Sequence, residues 1–361
     1  MSTDLVARLR LIRSPSIGPV SFRQLLARFG SAEAALAAVP DLAARGGGRS
    51  PNLISPAVAE REIAQVEALG ARYLVLGQGL YPPLLAELDN APPLIMAKGD
   101  LGMLERPLVA IVGARNASAA ACRFARGLAH DLGDAGAVVV SGLARGIDSA
   151  AHDGALASGT VGVVAGGIDI FYPPENEERQ RAMMEQGLVL AEMPPGTEPH
   201  ARHFPYRNRI IAGLSLGTVV VEAAPRSGSL ITARLATEAG REVMAVPGSP
   251  LDPRAQGCNS LIRDGATLVQ SAADVMETLT PLAGRVASPR ARFEPEVVSQ
   301  SGDADDAARR IVEELLGPSP APVDEIVRLS GLASGIVQMV LLELDLAGRL
   351  DRHAGGKISL R

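Results

Sequence analysis

Between Pro107 and Ala273 the chain alternates short apolar runs with amphipathic segments, and this alternation limits its possible folds more than any other feature. The first run, Leu108–Val112, has the length and the branched side chains of a buried strand, and it ends at Gly113. Ser118 then stands where a helix N-cap is expected. Because the strand–turn–helix order recurs, we predict a doubly wound, mainly parallel α/β sheet with helices on both faces.

Functional residues are expected in the turns at the carboxyl ends of these strands, where parallel α/β sheets bind their ligands. Backbone N–H groups at a helix start attract anions, and an arginine beside them adds two parallel hydrogen bonds. Glycines in such turns allow a ligand to approach the backbone closely. The candidate residues are Gly113, Ala114, Arg115, Ser141, Gly142, Arg145, Gly146, Gly166, Gly167, Ser227, Gly228, Ser229 and Thr232. We expect their turns to converge on one site.

A series of motifs in this region resembles the DprA family, the bacterial DNA-processing protein A, which is also called Smf. In family order they read IVGARNAS, SGLARGIDSAAH, GGIDIFYP, FPYRNRIIAGLS, VVVEA, SGSLITA, AVPG and GCNSLIRDGA. The resemblance implies an extended Rossmann-like core, often dimeric, that binds single-stranded DNA during uptake and recombination. It also implies that the protein protects this DNA and helps to load the RecA recombinase onto it.

The resemblance gives DNA-binding roles to these turns and to the segment FPYRNRIIAGLS. A basic rim would consist of Arg202, Arg207, Asn208 and Arg209. Phe204 would either offer a face for base stacking or belong to the core. Because the apolar residues of the same helix must be buried, Arg207 and Arg209 cannot face the same way. Asn208 and Glu222 would either hold the loops in shape or touch DNA.

The motifs of several enzyme classes are absent from the sequence. No G-x-G-x-x-G follows the first core strand, and no G-x-x-x-x-G-K-[ST] occurs, so neither a dinucleotide cofactor nor a P-loop is predicted. The five histidines lack metal-ligand spacing. Asp148 and His152 lie one helical turn apart and could form a base–orienter pair, but structural hydrogen bonding is the simpler interpretation. We therefore predict a protein without enzymatic activity, cofactor or metal.

Two other functional classes stay open. A Rossmann-like nucleotide-binding protein, or an enzyme similar to the phosphoribohydrolases, would use a PGGxGTxxE motif. The comparable regions read AGGIDIFYP and PRSGSLITA and lack the GT–E arrangement, although a phosphate could still bind at the second. A protein-interaction adaptor would fit the acidic flanking regions, but it would not explain the arginines and glycines in the turns.

Composition sets further conditions on this hypothesis. The formal net charge of −5 means that DNA would need a locally basic pocket in an otherwise acidic chain. Two cysteines without CxxC spacing are typical of a reducing cytoplasm. No apolar run is long enough to cross a bilayer, and no signal-peptide pattern is present, so we expect a cytoplasmic protein without membrane contact.

With 361 residues, the chain is long enough for two or three domains. We predict a helical domain over residues 1–69, similar to SAM-like or helix-hairpin-helix modules, and a core over 70–279. Residues 280–306 have the composition of a linker. Residues 307–361 show three amphipathic segments and a strand pair, Leu350–His353 and Lys357–Leu360, which together resemble a winged helix.

Both end regions allow a DNA-contacting and a structural interpretation. In the N-terminal region, Pro19 lacks an N–H donor that a DNA-binding hairpin would need. The candidate recognition helix of the winged helix, Ser334 to Ala347, is acidic and apolar, so it would not attract phosphate. For both regions we favour a role in packing or protein contact.

Overall fold

The structure is a computed structural model that describes residues 2–49, 51–286, 304–353 and 355–361. These residues fold into two compact units. One unit combines the described parts of Met1–Ile63 and Phe293–Arg361, and the other contains those of Ala64–Arg292. The motifs that resemble DprA lie in this second unit, which we call the central unit, and we call the first the end unit.

In the described part of the central unit, nine strands form one sheet in the order β1-β2-β6-β5-β4-β3-β7-β8-β9. Their bounds are β1 Arg72–Val75, β2 Leu94–Gly99, β3 Leu108–Gly113, β4 Val138–Ser141, β5 Thr160–Val164, β6 Leu188–Ala191, β7 Gly217–Val221, β8 Glu242–Ala245 and β9 Thr267–Leu268. The strands from β6 to β9 in this order pair in parallel. Strand β2 pairs antiparallel with β6, and β1 pairs antiparallel with β2 at the edge of the sheet. The predicted extended, mainly parallel sheet is therefore confirmed.

Helices cover both faces of the sheet, and the central strands β4, β5, β6 and β7 are completely buried. On β3, Val109 and Ile111 join one apolar cluster, whereas Leu108, Ala110 and Val112 join the cluster on the opposite face. This alternation follows from the two-residue period of a strand, and it explains why both faces are apolar.

The helix predicted after Ser118 is present among the helices of the described chain. Those before and within the central unit are α1 Thr3–Arg13, α2 Pro19–Phe29, α3 Ala32–Arg45, α4 Pro56–Ala68, α5 Pro83–Ala86, α6 Ala119–Asp134, α7 Ile147–Ala155, α8 Glu177–Gln186, α9 His203–Leu214, α10 Gly228–Glu238, α11 Gln256–Arg263 and α12 Ala272–Val286. Ser118 caps α6, because its hydroxyl accepts a hydrogen bond from the N–H of Ala121 at 3.1 Å. Ser227 caps α10 in the same way. No helix among the described residues has both the length and the apolar character to cross a bilayer.

The C-terminal part of the end unit has the predicted winged-helix order. Its elements are α13 Asp306–Leu315, β10 Ala321–Pro322, α14 Val323–Ser330, α15 Ser334–Leu346, β11 Leu350–His353 and β12 Lys357–Leu360. Both predicted strands have the expected bounds, and β10 adds a third strand that the sequence did not reveal.

One hydrophobic core joins the two ends of the chain. Phe22 and Leu25 of α2 and Val39 of α3 belong to the same buried cluster as Leu341 and Leu344 of α15. Because α15 is the candidate recognition helix, its burial leaves little of it available to enter a DNA groove. The structural interpretation of this helix is supported.

Polar contacts reinforce the packing of α15 against α2 and α13. The carboxylate of Glu343 accepts two hydrogen bonds from the Arg309 guanidinium, at 2.8 and 3.1 Å. Gln24 of α2 donates to Gln338 at 2.7 Å, and Ser21 donates to Asp345. The acidic residues of α15, which would repel DNA phosphates, are therefore used inside the unit.

The boundary of the predicted linker differs from the structure at its first residues. Helix α12 continues to Val286, so residues 280–286 are helical although their composition is typical of a linker. The helix extends this far because Val275 and Leu279 anchor it in the core. Residues 287–303 lie outside the described part of the chain, and the domain boundaries stay a prediction.

We expect cleavage between residues 287 and 303 to yield two fragments that stay associated through the end-unit core. Leu25→Ala should weaken this association, since Leu25 of α2 is buried in the core that α15 shares, and the loss of its methyl groups costs about 2–5 kcal/mol. Arg310→Ala, at an exposed position of α13, is the control. Size-exclusion chromatography of the cleaved protein in increasing urea tests this. Fragments that separate without denaturant would contradict the shared core.

Candidate nucleic-acid interface

A pocket opens at the carboxyl edge of the central sheet, over β4 and β5. It is lined by Arg115, Gly142, Leu143, Ala144, Arg145, Val164, Ala165, Gly166, Ile170, Tyr172, Pro173, Pro199, Phe204 and Arg207. The lining therefore contains three arginines and no carboxylate. A locally basic pocket exists in this acidic chain, as the hypothesis of DNA binding requires.

Helix α9 brings two of the predicted residues into this pocket. Phe204 and Arg207 are three positions apart, so they share one face of the helix. Arg209 lies on another face and pairs with Glu192 at 2.5 Å. The predicted divergence of Arg207 and Arg209 is confirmed, and Arg209 supports the fold rather than the pocket.

Arg207 lies at the base of the pocket rather than on a rim, which corrects its expected position. The side chain is 6% exposed, and its closest carboxylate oxygen belongs to Asp148, at 3.9 Å from Nη1. Its guanidinium lies against Gly142, where a Cβ atom would stand only 1.2 Å from Nη1. Gly142 is therefore needed for the position of Arg207, and not only for the approach of a ligand.

The charge of this buried arginine is only partly compensated. Burial lowers the pKa of Arg207 to about 10, against the opposing effect of Asp148. Burial also raises the pKa of Asp148, whereas the Arg207 guanidinium acts to lower it. Arg207 stays protonated at neutral pH, and its buried Nε has no hydrogen-bond partner among the described residues. An anion in the pocket would supply the missing compensation.

The other two arginines of the pocket are exposed. The Arg115 guanidinium lies 5.1 Å from the centroid of the Phe204 ring, a cation–π contact. No carboxylate of the described chain forms an ion pair with Arg115. Arg145 is paired with Glu175 at 3.5 Å. Arg115 thus presents a cation to solvent with its position fixed by an aromatic ring.

The turn after β3 differs from the expected phosphate grip. The N–H of Ala114 donates to the carbonyl oxygen of Glu222 at 2.8 Å. The Glu222 carboxylate accepts from the N–H of Ser118 at 2.7 Å and also faces Arg254 at 3.3 Å. An internal carboxylate therefore occupies the start of α6, where we expected an external anion, and Glu222 holds the loops in shape.

Several of the predicted glycines accommodate the chain itself. A Cβ at Gly166 would lie 2.6 Å from the carbonyl oxygen of Thr197, and one at Gly167 the same distance from that of Pro194. Gly113 similarly approaches the carbonyl oxygen of Val221 at the end of β7, and Gly146 approaches that of Ala114. Among these four, only Gly166 lines the pocket. Their close contacts are required by the packing of the loops.

The remaining predicted residues lie outside the pocket lining. The Ser141 hydroxyl donates to the carbonyl oxygen of Ile111 at 2.6 Å, and it is buried. Arg202 is exposed beside His203, and Asn208 is partly buried on α9. The turn after β7 is separate, and it contains Ser227, Gly228, Ser229 and Thr232. The expected convergence therefore holds for the turns after β3, β4 and β5, but the turn after β7 does not line the pocket.

Sequence reasoning missed the apolar wall of the pocket. This wall contains Ile170, Tyr172 and Pro173, which follow the Gly166–Gly167 turn after β5, and Pro199, which precedes α9. Tyr172 lies within the GGIDIFYP motif, so a search for aromatic residues beside the glycine turns would have found it.

Asp148 and His152 do not form a base–orienter pair. The Nδ1 of His152 lies 2.8 Å from the Thr160 hydroxyl, whereas Asp148 accepts from the N–H of Ala144 at 3.3 Å. Burial and the nearby Arg179 lower the pKa of His152 to about 3, so the ring is neutral at physiological pH. The structural interpretation of His152 is confirmed. The described residues also contain no cluster of three or more His, Cys, Asp or Glu side chains suited to a metal ion.

Comparison with known proteins identifies the family. The profile of the DNA recombination-mediator protein A family matches residues 72–280. Profiles of a DprA-like N-terminal HHH domain and a DprA winged helix domain match residues 2–65 and 296–356. The chain belongs to the DprA/Smf family. Both end regions therefore have the predicted fold classes.

Individual relatives agree with this assignment. The DNA processing protein DprA of Streptococcus pneumoniae is 48% identical over 202 residues, which cover 54% of this chain and 70% of that protein. Its X-ray structure has a TM-score of 0.62, with 35% identity, and covers 77% of this chain and 98% of that one. Protein Smf of Synechocystis is 30% identical over 96% of both chains.

A second solved structure, DNA processing protein A of Helicobacter pylori, was described for its single-stranded DNA binding mode. It is 29% identical, has a TM-score of 0.53, and covers 58% of this chain and 96% of that one.

We expect Gly142→Ala to destabilise the central unit by roughly 3 kcal/mol, because the new methyl group would displace Arg207 from its contact with Asp148. Gly127→Ala on α6 is the matched control, since a Cβ there meets nothing within 4 Å and the change raises helix propensity. Urea unfolding followed by circular dichroism measures both. Equal stability of the two variants would contradict the role of Gly142.

Proposed function

We propose that the protein binds single-stranded DNA at the pocket between Arg115, Gly142 and Arg207. The observation that carries the proposal is the buried, partly compensated Arg207 at the base of a pocket that otherwise offers arginines and aromatic rings. Arginines attract phosphates, and aromatic faces attract unpaired bases. A single strand supplies both, whereas a duplex keeps its bases stacked and paired.

Family membership supports the same proposal. The Helicobacter pylori relative is described as a binder of single-stranded DNA, and it covers 58% of this chain. We extend that property to this chain because the pocket here combines the required charges and apolar wall. The buried α15 supports placing DNA binding in the central unit rather than in the winged helix.

We also propose that the protein acts without catalysis. The sequence contains no P-loop, and the neutral His152 is hydrogen-bonded to Thr160 inside the core. Release of phosphate from ATP or of adenine from AMP by the purified protein would contradict this.

The biological role that we propose is protection of incoming single-stranded DNA and loading of RecA onto it, in the cytoplasm, by a homodimer. These points rest on membership in a family of DNA recombination mediators.

Arg115→Ala should weaken binding to oligothymidine, because one exposed cation of the pocket is lost. The plot of log affinity against log salt should become shallower by about 0.7 for each phosphate contact removed. Arg123→Ala, an exposed arginine of α6 outside the pocket lining, should change neither quantity. Fluorescence anisotropy at several salt concentrations measures both. The proposal fails if Arg115→Ala binds as tightly as the parent protein.

Light scattering coupled to size-exclusion chromatography should give twice the mass of one chain, and immobilised protein should retain purified RecA. A strictly monomeric mass at micromolar concentration would reject the homodimer. Failure of the immobilised protein to retain RecA, with single-stranded DNA present or absent, would reject the proposed contact with RecA.

A further inference from the structure

Four of the ten aromatic residues of this chain lie in the two segments that border the pocket. The sequence has six phenylalanines, four tyrosines and no tryptophan. Phe171 and Tyr172 lie in the loop after β5, and Phe204 and Tyr206 lie in the first turns of α9. The contacts of these four rings differ, and the differences assign them different roles.

Two of the four rings, those of Phe171 and Phe204, already make cation–π contacts with arginines of the chain. The guanidinium of Arg181 lies 4.2 Å from the centroid of Phe171. Phe204 has Arg115 at 5.1 Å and Arg207 at 6.0 Å from its centroid. A base that stacked on Phe204 would compete with these guanidinium groups. The contacts of Phe204 therefore suit a residue that positions Arg115 and Arg207.

Tyr172 has a different environment. It lines the pocket, and 48% of the residue is exposed. Its centroid is 6.0 Å from that of Phe204, with an angle of 53° between the ring planes. No guanidinium of the described chain lies over the Tyr172 ring. Tyr206 is equally exposed, at 51%, but it does not line the pocket.

We propose that Tyr172 is the platform on which an unpaired base stacks, and that Phe204 positions the arginines that bind the adjoining phosphate. This inference rests on the proposed function and adds a base-contacting residue to it. Arg115 and Tyr172 both contact Phe204, at 5.1 Å and 6.0 Å from its centroid, so one nucleotide can have its phosphate at the arginines and its base on the tyrosine. A paired base must first be unpaired and unstacked to reach Tyr172, which costs free energy, so this ring favours single strands.

The expected effect of Tyr172→Ala is a loss of affinity for oligothymidine of about 5- to 150-fold, the range for one stacked base. The salt dependence should not change, because no phosphate contact is removed. Tyr172→Phe should restore binding, whereas Tyr172→Leu should not, since leucine keeps apolar bulk but has no aromatic face. Circular dichroism confirms that each variant is folded.

An oligomer of abasic deoxyribose phosphates separates stacking from charge. The parent protein should bind it more weakly than oligothymidine, and Tyr172→Ala should bind the two about equally. Arg115→Ala should still discriminate between them, because its defect concerns the phosphates.

The absence of tryptophan from the sequence provides a direct probe. Tyr172→Trp and Tyr206→Trp each contain a single tryptophan at a similarly exposed position. Oligothymidine should quench the fluorescence of Tyr172→Trp in a saturable way and leave that of Tyr206→Trp unchanged.

The possible results distinguish the two proposals. If the parent binds oligothymidine and Arg115→Ala weakens it, but Tyr172→Ala binds like the parent, the inference about Tyr172 is wrong and the proposed function stands. Unquenched Tyr172→Trp at saturation leads to the same conclusion. If the parent protein does not bind oligothymidine at all, the proposed function itself is wrong.

Discussion

Neighbouring strands are parallel throughout the sheet order β6-β5-β4-β3-β7-β8-β9, so the carboxyl ends of all seven lie along one edge of the sheet. The loops that follow these strands therefore lie side by side along this edge. Glu222 holds the central part of the edge in place, because its carbonyl oxygen accepts from the Ala114 N–H in the turn after β3 and its carboxylate accepts from the Ser118 N–H at the start of α6. Its backbone has a φ of 55°, which a non-glycine residue adopts only when its surroundings enforce it. The loops after β3, β4 and β5 remain open to solvent and form the pocket.

The pocket itself depends on a buried cation. Removing a guanidinium from water is costly unless an anion or hydrogen bonds replace the lost solvation. The Asp148 carboxylate, 3.9 Å away, compensates part of the charge of Arg207, but the Nε of Arg207 has no hydrogen-bond partner among the described residues. A binding site can use such a deficit, since a phosphate that enters the pocket removes a penalty that already exists in the free protein.

Much of this architecture was predictable, because local patterns determine it. The order of strands and helices, the Ser118 cap and the two strands of the wing follow from periodicity and capping residues. The opposite directions of Arg207 and Arg209 follow from the geometry of one helix. The sequence left two roles open for Glu222, and it could not decide between them because the contact with Ser118 spans 104 positions of sequence. The burial of Arg207 against Gly142 and the exposure of Tyr172 likewise depend on how distant loops meet.

The shared core of the end unit has a consequence for biosynthesis. A ribosome makes α2 long before α15, since the contact between Gln24 and Gln338 spans 314 positions. The central unit can fold during this interval, because domains form as they emerge from the ribosome. The apolar face of α2 and α3 has no α15 to cover it until that distant helix has also been made. Nascent chains should therefore expose this face, and they are the species on which a chaperone would act.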